Sequence, residues 1–304
     1  MSARVLGALS ICVSAALWGL DGVVLTPRLY NLDVLFVVFL LHAVPFLLMQ
    51  PFLFAAYRPL ARLGGREWVN LVSVALAGGV VGTYAIVRAL FLVDFNQLSV
   101  VVLLQKLQPV FAIALAALLL QERLSRRFVG RALLALGGAY LLTFGLGVPQ
   151  TGASSEAVLW ALVAAFAFGA GTVLGKRLLA SLDFKTATFA RYGVTTLVTL
   201  AYLLIVRGEL PLAQVSPDNW AIIFLIAVTT GSGAIFLYYF GLSRVRARVS
   251  AICEMCLPLS AILLDYLINR SLLGPWQWVG AAVLLAAILL VSVGSAPEPA
   301  TETV

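Results

Sequence analysis

Two charged side chains of opposite sign lie within long apolar runs of this sequence, and each is followed by a proline. Lys106 precedes Pro109 and Glu254 precedes Pro258, each by about one helical turn. A charge inside a membrane-spanning helix costs roughly 2.5–3.5 kcal/mol on insertion scales, so such residues usually have a function. We predict that Lys106 and Glu254 lie near each other and bind the carboxylate and ammonium of a zwitterion, or that Glu254 carries a coupling proton. The alternative is a buried ion pair that only fixes helix packing.

Aromatic and basic residues in other apolar runs extend this candidate binding site. Trp18, Tyr84 and Tyr239 offer rings for an apolar ligand, and the tyrosines also offer a hydroxyl. Arg88 follows Tyr84 by one helical turn, and His42 is the single histidine, which can titrate near neutral pH. The alternatives are an interfacial belt for the tyrosines, snorkelling to the headgroups for Arg88 and hydrogen-bonded packing for His42.

Three further charged residues within or near the ends of apolar runs have less direct interpretations. Asp21 could relay protons, cap a neighbouring backbone or pair with a base. Asp265 shares a helical face with Glu254 but lies near the end of its run, as expected of a gate or interface residue. Arg191 lies on a polar stripe for which snorkelling or a subunit contact is favoured over ligand binding.

Prolines and small residues mark the places where the apolar runs can bend. A proline in mid-helix removes a backbone donor and kinks the helix, while small residues allow close contact or bending. The predicted hinge or gating residues are Pro109, Pro258, Gly78, Gly82, Gly231 and Gly233.

The composition identifies the kind of element that carries these residues. The chain has 304 residues, of which 62% are hydrophobic and 11% charged, against about 25% charged residues in soluble domains. Its mean hydropathy of +1.05 indicates an all-α integral membrane protein with no room for a soluble catalytic domain. The net charge of +7 arises from short loops and does not indicate nucleic acid binding. Three cysteines in apolar runs support neither a disulfide framework nor a zinc site, and no cofactor or metal is expected.

Hydrophobic periodicity predicts ten membrane-spanning helices. They cover about residues 5–25, 34–56, 68–92, 97–121, 127–146, 156–180, 185–206, 218–241, 247–268 and 274–293. Of the 20 Lys and Arg residues, fourteen fall on one side of these spans, whereas Arg28, Arg207 and Arg270 fall on the other. The positive-inside rule therefore places both termini in the cytoplasm. Residues 294–304 are expected to be a disordered cytoplasmic tail.

The chain repeats itself at an offset near 150 residues. The segment 15–19 aligns with 165–169, and 107–112 aligns with 256–261. We predict two five-helix units, residues 1–147 and 156–293. Because five is an odd number, the second unit must enter the membrane from the opposite face, as in many secondary transporters.

The Trp18–Gly19 pair, the element from Pro109 to Glu122 and the following Gly130 resemble the drug/metabolite transporter superfamily, specifically its EamA-type exporters. The second repeat keeps Pro258 but has Ser271 near the position of Glu122. The resemblance covers nearly the whole chain and is strongest to bacterial exporters of aromatic and other amino acids. It implies two inverted five-helix repeats, alternating access and a central cavity lined mainly by spans one, three, four, six, eight and nine.

The residues and the resemblance together predict a secondary exporter of small amphipathic metabolites, including aromatic amino acids, in the bacterial inner membrane. The alternatives are a multidrug exporter of lipophilic cations, which would use Glu254 and Asp21, and a transporter of anions such as phosphorylated sugars. The anion hypothesis requires Lys106, Arg88 and Arg191 to converge. A membrane enzyme is disfavoured because the sequence has no nucleophile with a base and no phosphate-binding loop. The expected partners are a small-molecule substrate and membrane lipid, no nucleic acid is expected, and the monomer should be functional.

Overall fold

The computed structural model describes residues 2–93, 101, 104–147, 154–269 and 273–294, except for the side chains of residues 265, 268 and 269. Within these ranges the chain forms helices joined by short turns, and no strand is present. Nine helices there are long and apolar enough to cross a membrane, and the predicted fourth span contains a shorter apolar helix. The helices are α1 Ala3–Leu29, α2 Val34–Leu60, α3 Gly65–Leu92, α4 Gln108–Leu119, α5 Arg126–Phe144, α6 Ser155–Leu178, α7 Phe184–Arg207, α8 Pro217–Leu242, α9 Ala247–Leu264 and α10 Pro275–Val293. The all-α membrane fold predicted from the sequence is confirmed.

Several predicted features lie outside the described residues. They are the break at Asp94, the residues Arg270 and Ser271, the side chain of Asp265 and the tail beyond Gly294. The break between predicted spans eight and nine is present, since α8 ends at Leu242 and α9 begins at Ala247.

The prolines of α4 and α9 do not kink continuous helices, which corrects the expectation from the sequence. The helix preceding α4 ends at a turn formed by Lys106 and Leu107, and α9 is interrupted at Glu254 and Met255. New helical segments start at Gln108 and Cys256, so both prolines fall in a first turn. A proline costs no hydrogen bond there because first-turn N–H groups have no partner within the helix. At each break, the regular helical hydrogen bonding stops shortly before the proline.

The two halves of the chain pack against each other through equivalent glycines. A Cβ atom on Gly19 of α1 would lie 2.9 Å from the carbonyl oxygen of Leu257 in α9. A Cβ atom on Gly169 of α6 would lie 3.0 Å from the carbonyl oxygen of Gln108 in α4. Only glycine allows these approaches of helix to backbone. Each half therefore places its first helix against the interrupted helix of the other half.

The predicted hinge glycines lie in or beside segments of π-helix. In α3 the π segment is Ala75–Val81, which contains Gly78 and precedes Gly82. In α8 it is Ala227–Gly231, which ends two residues before Gly233. Such π segments often mark functional sites and local bends. Movement at these glycines stays a prediction.

Candidate substrate site

The side chain of Glu254 is the centre of a buried hydrogen-bond network. It lies at the interruption of α9, and only 8% of its surface is exposed. Its Oε1 accepts hydrogen bonds from Tyr238 Oη and Ser250 Oγ, both at 2.9 Å. Gln108 Nε2 donates to Oε2 at 2.7 Å, and Thr172 Oγ1 donates to Oε1 at 3.2 Å. Four helices, α4, α6, α8 and α9, thus contribute to one carboxylate.

The local folding of α4 and α9 explains this convergence. Ser250 precedes Glu254 by one helical turn, so the two side chains share a face of α9. Gln108 is the first residue of the segment that restarts after the turn in α4, and this position lies against α6 at Gly169. All four donors are neutral, and none of the ion pairs among the described residues includes Glu254. Its charge is therefore solvated by the protein and not cancelled by a cation.

An aromatic wall adjoins this carboxylate. The ring of Trp18 from α1 lies 5.2 Å from the ring of Tyr238, measured between centroids and tilted by 54°. The Tyr238 hydroxyl contacts Thr172 Oγ1 at 2.9 Å as well as the carboxylate. The structure therefore places Trp18, a predicted site residue, beside Tyr238, which donates to Glu254. The edge formed by Trp18, Tyr238 and Glu254 combines flat apolar surface with hydrogen-bonding atoms.

Lys106 and Glu254 do not form the buried ion pair that was the alternative interpretation, since none of the ion pairs among the described residues includes either side chain. The Nζ of Lys106 is buried and makes no hydrogen bond, and the carboxylate of Glu254 accepts from Gln108 instead. The reason is the break in α4, because Lys106 lies in the turn and Gln108 begins the next helical segment. The Nε2 of Gln105 is likewise buried without a partner. Lys106 thus stays a predicted ligand-binding residue, separate from Glu254.

Tyr239 faces away from Glu254, which corrects its expected position beside that residue. It is fully buried, and its hydroxyl accepts a hydrogen bond from Arg191 Nη1 at 3.4 Å. The guanidinium carbon of Arg191 also lies 5.7 Å from the centroid of the Tyr239 ring. Arg191 is 9% exposed, so it does not snorkel to the headgroups as expected. Sequence reasoning missed Arg191 as a member of the buried polar core.

The remaining predicted binding residues lie away from this network. Arg88 forms an ion pair with Glu156 at 3.2 Å, and both side chains are substantially exposed. Tyr84 packs edge to face against Trp160, with centroids 5.4 Å apart. These positions suit the membrane-interface alternatives.

His42 has the surroundings of a packing residue. Its Nδ1 lies 2.8 Å from the carbonyl oxygen of Val38, one helical turn earlier. Its ring packs against that of Tyr192, with a centroid distance of 5.2 Å. The side chain is buried and contacts none of the residues that surround Glu254. These contacts agree with the packing alternative for His42, and its role in binding stays a prediction.

The carboxylates of Asp21 and Glu122 each accept hydrogen bonds from another helix, at two places outside the Glu254 network. Asp21 accepts hydrogen bonds from Thr26 Oγ1 at 3.0 Å and from Thr230 Oγ1 of α8 at 3.1 Å. Glu122 accepts from the backbone N–H groups of Ala247 and Arg248 at 2.8 and 3.2 Å. The carboxylate at the end of α4 therefore caps the first turn of α9 in the other half of the chain.

The residues that sequence reasoning overlooked had weak but readable signals. Ser250 lies one turn before Glu254, and Gln108 lies one residue before the proline of α4. Thr172 is a polar residue in a small-residue run, and Tyr238 is adjacent to the tyrosine that was chosen. The described chain has no group of three His, Cys, Asp or Glu side chains that could hold a metal ion.

Comparisons with known proteins agree with a transport role for this fold. The chain is 45% identical over 297 residues to a protein named riboflavin transporter ImpX from Fusobacterium nucleatum subsp. nucleatum, covering 96% of this chain and 99% of that one. A solved crystal structure with 18% identity superposes with a TM-score of 0.70 and covers 94% of this chain and 96% of its own, which supports the fold alone. Residues 5–144 and 155–293 each match the EamA-like transporter family. This chain therefore belongs to the EamA-like transporter family and is a multi-pass membrane transporter, not an enzyme.

Proposed function

We propose that this protein transports a flat heteroaromatic metabolite of the riboflavin type across the bacterial inner membrane by alternating access. The observation that carries the proposal is the Glu254 network beside the Trp18 and Tyr238 rings. The 45% identity to a protein named riboflavin transporter, over almost the full length of both chains, supports the same substrate class.

The chemistry of the network suits such a ligand. A stacked ring system gains from contact with tryptophan and tyrosine faces. Its N–H group, or the hydroxyls of a sugar-alcohol chain, can donate to a carboxylate in place of a protein donor. Gln108 is the donor that we expect to be displaced, because it lies directly after the break in α4. Exchange of one neutral donor for another changes no charge, so a neutral ligand can bind without a buried charge being left unpaired.

Export of aromatic amino acids is the second candidate. It is favoured by the presence of buried charges of both signs, Glu254 on one side and Lys106 and Arg191 on the other, that are not paired with each other. A zwitterion would supply the missing partner for each sign.

The two other hypotheses from the sequence have less support. Arg88 is engaged with Glu156 at the surface and so does not join Lys106 and Arg191 around an anion.

The proposal is tested by substrate exchange in proteoliposomes. Vesicles loaded with unlabelled riboflavin are diluted into labelled riboflavin, and uptake is measured with phenylalanine, threonine or tetraphenylphosphonium as competitors. We expect wild-type protein to exchange riboflavin. Glu254→Gln should reduce this exchange about 100-fold. Glu209→Gln, a change at an exposed loop residue, should leave it intact. Loading from either face of the membrane then reports the direction of transport.

The competitors separate the candidates. Exchange of labelled phenylalanine in vesicles that do not exchange riboflavin would overturn the proposal in favour of amino-acid export. Inhibition by tetraphenylphosphonium alone would favour the transport of lipophilic cations.

A further inference from the structure

Arg191 carries a buried charge that neither the predicted site nor the Glu254 network uses. It lies in α7, more than nine-tenths buried, and its one recorded hydrogen bond joins Nη1 to the neutral hydroxyl of Tyr239 at a long 3.4 Å. The ion pairs formed among the described residues do not include it. A guanidinium has several further N–H donors in a rigid, planar fork, which can bond two acceptors at once.

The surroundings of Arg191 show that space is kept for its guanidinium. A Cβ atom on Gly78 of α3 would lie 2.8 Å from Nη2 and 3.4 Å from Cζ. Gly171 of α6 faces the same place, since a Cβ atom there would lie 3.3 Å from the Cα of Gly78. Any larger side chain at Gly78 would displace the charge. The glycine pair therefore does more than bring α3 and α6 together, because it also leaves room for the guanidinium of Arg191 to pack against the backbone of α3.

Two adjacent tyrosines connect this charge to the carboxylate site. Tyr238 donates to Glu254 and Tyr239 accepts from Arg191, and their rings lie 5.7 Å apart between centroids. The carboxylate and the guanidinium are thus neighbours through α8 without forming an ion pair. One side presents an acceptor and the other a set of donors, which matches a ligand that carries donors at one edge and acceptors at another.

We propose that Arg191 is a specificity-determining residue whose guanidinium binds an adjacent ring nitrogen and carbonyl oxygen on the substrate's heteroaromatic edge. This inference rests on the proposed function. Arginine recognises such a pair in guanine, where its fork bonds N7 and O6 together. The isoalloxazine ring offers two pairs of a ring nitrogen and a nearby carbonyl oxygen, N5 with the carbonyl at C4, spaced as in guanine, and N1 with the carbonyl at C2, which are closer together. Lysine cannot replace this geometry because its ammonium is a point charge without a planar fork.

The test compares riboflavin with 5-deazariboflavin and 1-deazariboflavin, each of which replaces one ring nitrogen by C–H while keeping the shape. Binding to the purified protein in nanodiscs is measured by competition against labelled riboflavin for wild type, Arg191→Lys and the control Arg207→Lys. Arg207 is an exposed arginine at the end of the same helix. We expect wild type and the control to bind one deaza analogue about tenfold or more weaker than riboflavin, because a hydrogen bond to a charged group is lost. Arg191→Lys should bind riboflavin and that analogue equally.

The binding measurements test the role of Arg191 and the proposed function separately. Wild-type protein that binds all three flavins equally, or an Arg191→Lys variant that keeps the discrimination, would overturn the role of Arg191 and leave riboflavin transport standing. Wild-type protein that binds no flavin would overturn the proposed function and this inference together. If Arg191→Lys does not fold, Gly78→Ala provides the second variant, because its Cβ displaces Nη2 and should reduce the same discrimination.

Discussion

Charges in the centre of this transporter and charges near the ends of its helices have opposite kinds of partner. In the centre, Glu254 and Arg191 are each bound by neutral side chains and not by each other. Near the helix ends, Glu122 faces Arg248 at 3.7 Å and Arg88 pairs with Glu156 at 3.2 Å. Paired charges neutralise each other and fix the positions of the helices that carry them. A charge solvated only by neutral groups can still interact electrostatically with a charged or polar ligand. We therefore expect the paired residues near the helix ends to stabilise helix packing and the residues in the centre to bind the ligand.

The largest effect on stability should come from Glu122. Its carboxylate caps two backbone N–H groups of α9 and lies against the buried guanidinium of Arg248. Glu122→Ala removes the acceptor of both N–H groups and the ion-pair partner of Arg248, and breaking a buried pair in this way costs about 3 kcal/mol or more. We expect a clear fall in the thermal unfolding midpoint in detergent. Glu122→Gln, which keeps an oxygen for the N–H groups, should fall less, and equal midpoints for the two variants would assign the effect to something other than the cap.

Glu254→Gln should have the reverse profile. The amide keeps the shape and one acceptor oxygen but removes the charge that a ligand donor would bind, and we expect substrate exchange to fall about 100-fold. The unfolding midpoint should be unchanged or higher, because no cation is left unpaired among the described groups around Glu254. Exchange and thermal unfolding are measured on the same preparation. A Glu254→Gln protein with a lower unfolding midpoint but normal exchange per folded molecule would contradict the distinction between central charges that bind ligand and terminal charges that stabilise packing.

A smaller change tests the centre through its glycine. Gly78→Ala adds a Cβ atom 2.8 Å from Arg191 Nη2, which is the mobile end of a long side chain and can move aside. We expect the affinity for riboflavin to fall about tenfold, as for the loss of one charged hydrogen bond, while the fold is kept. The matched control is Gly137→Ala in α5, where a Cβ atom meets nothing within 4 Å. A similar loss of affinity in both variants would contradict a specific role for Gly78.

The sequence could predict which runs form helices and which charged residues lie inside them, because both follow from hydrophobicity. Glu254 is a carboxylate within an apolar run, and Trp18 shares a polar stripe of α1, so both could be chosen as candidates without knowledge of their contacts. The partner of Glu254 was not predictable in the same way. It depends on the break in α4, because Lys106 lies in the turn and Gln108 begins the next helical segment, so the two side chains point in different directions. A break of one turn cannot be read from a proline, which fits equally well within a kink and in a first turn.

The two tyrosines of α8 show the same limit on a finer scale. Tyr238 and Tyr239 are adjacent, so they point about 100° apart around a helix, and hydropathy does not distinguish them. Which of the two faces Glu254 depends on the rotation of α8, and the preceding π segment shifts that rotation. Arg191 was misjudged for a related reason. Only the space left by Gly78 in α3 allows its guanidinium to stay inside.

The smallest effect is expected at the surface pair of Arg88 and Glu156, whose side chains are 39% and 52% exposed. Exposed pairs contribute about 0–1 kcal/mol, since solvent screens the charges and ordering two long side chains costs entropy. Arg88→Gln should therefore leave riboflavin affinity unchanged and shift the unfolding midpoint by less than Glu122→Gln does. Ligand competition and thermal unfolding measure both quantities. A large loss of affinity in Arg88→Gln would return Arg88 to the binding site that its spacing from Tyr84 first suggested, and it would show that a paired surface charge also serves transport.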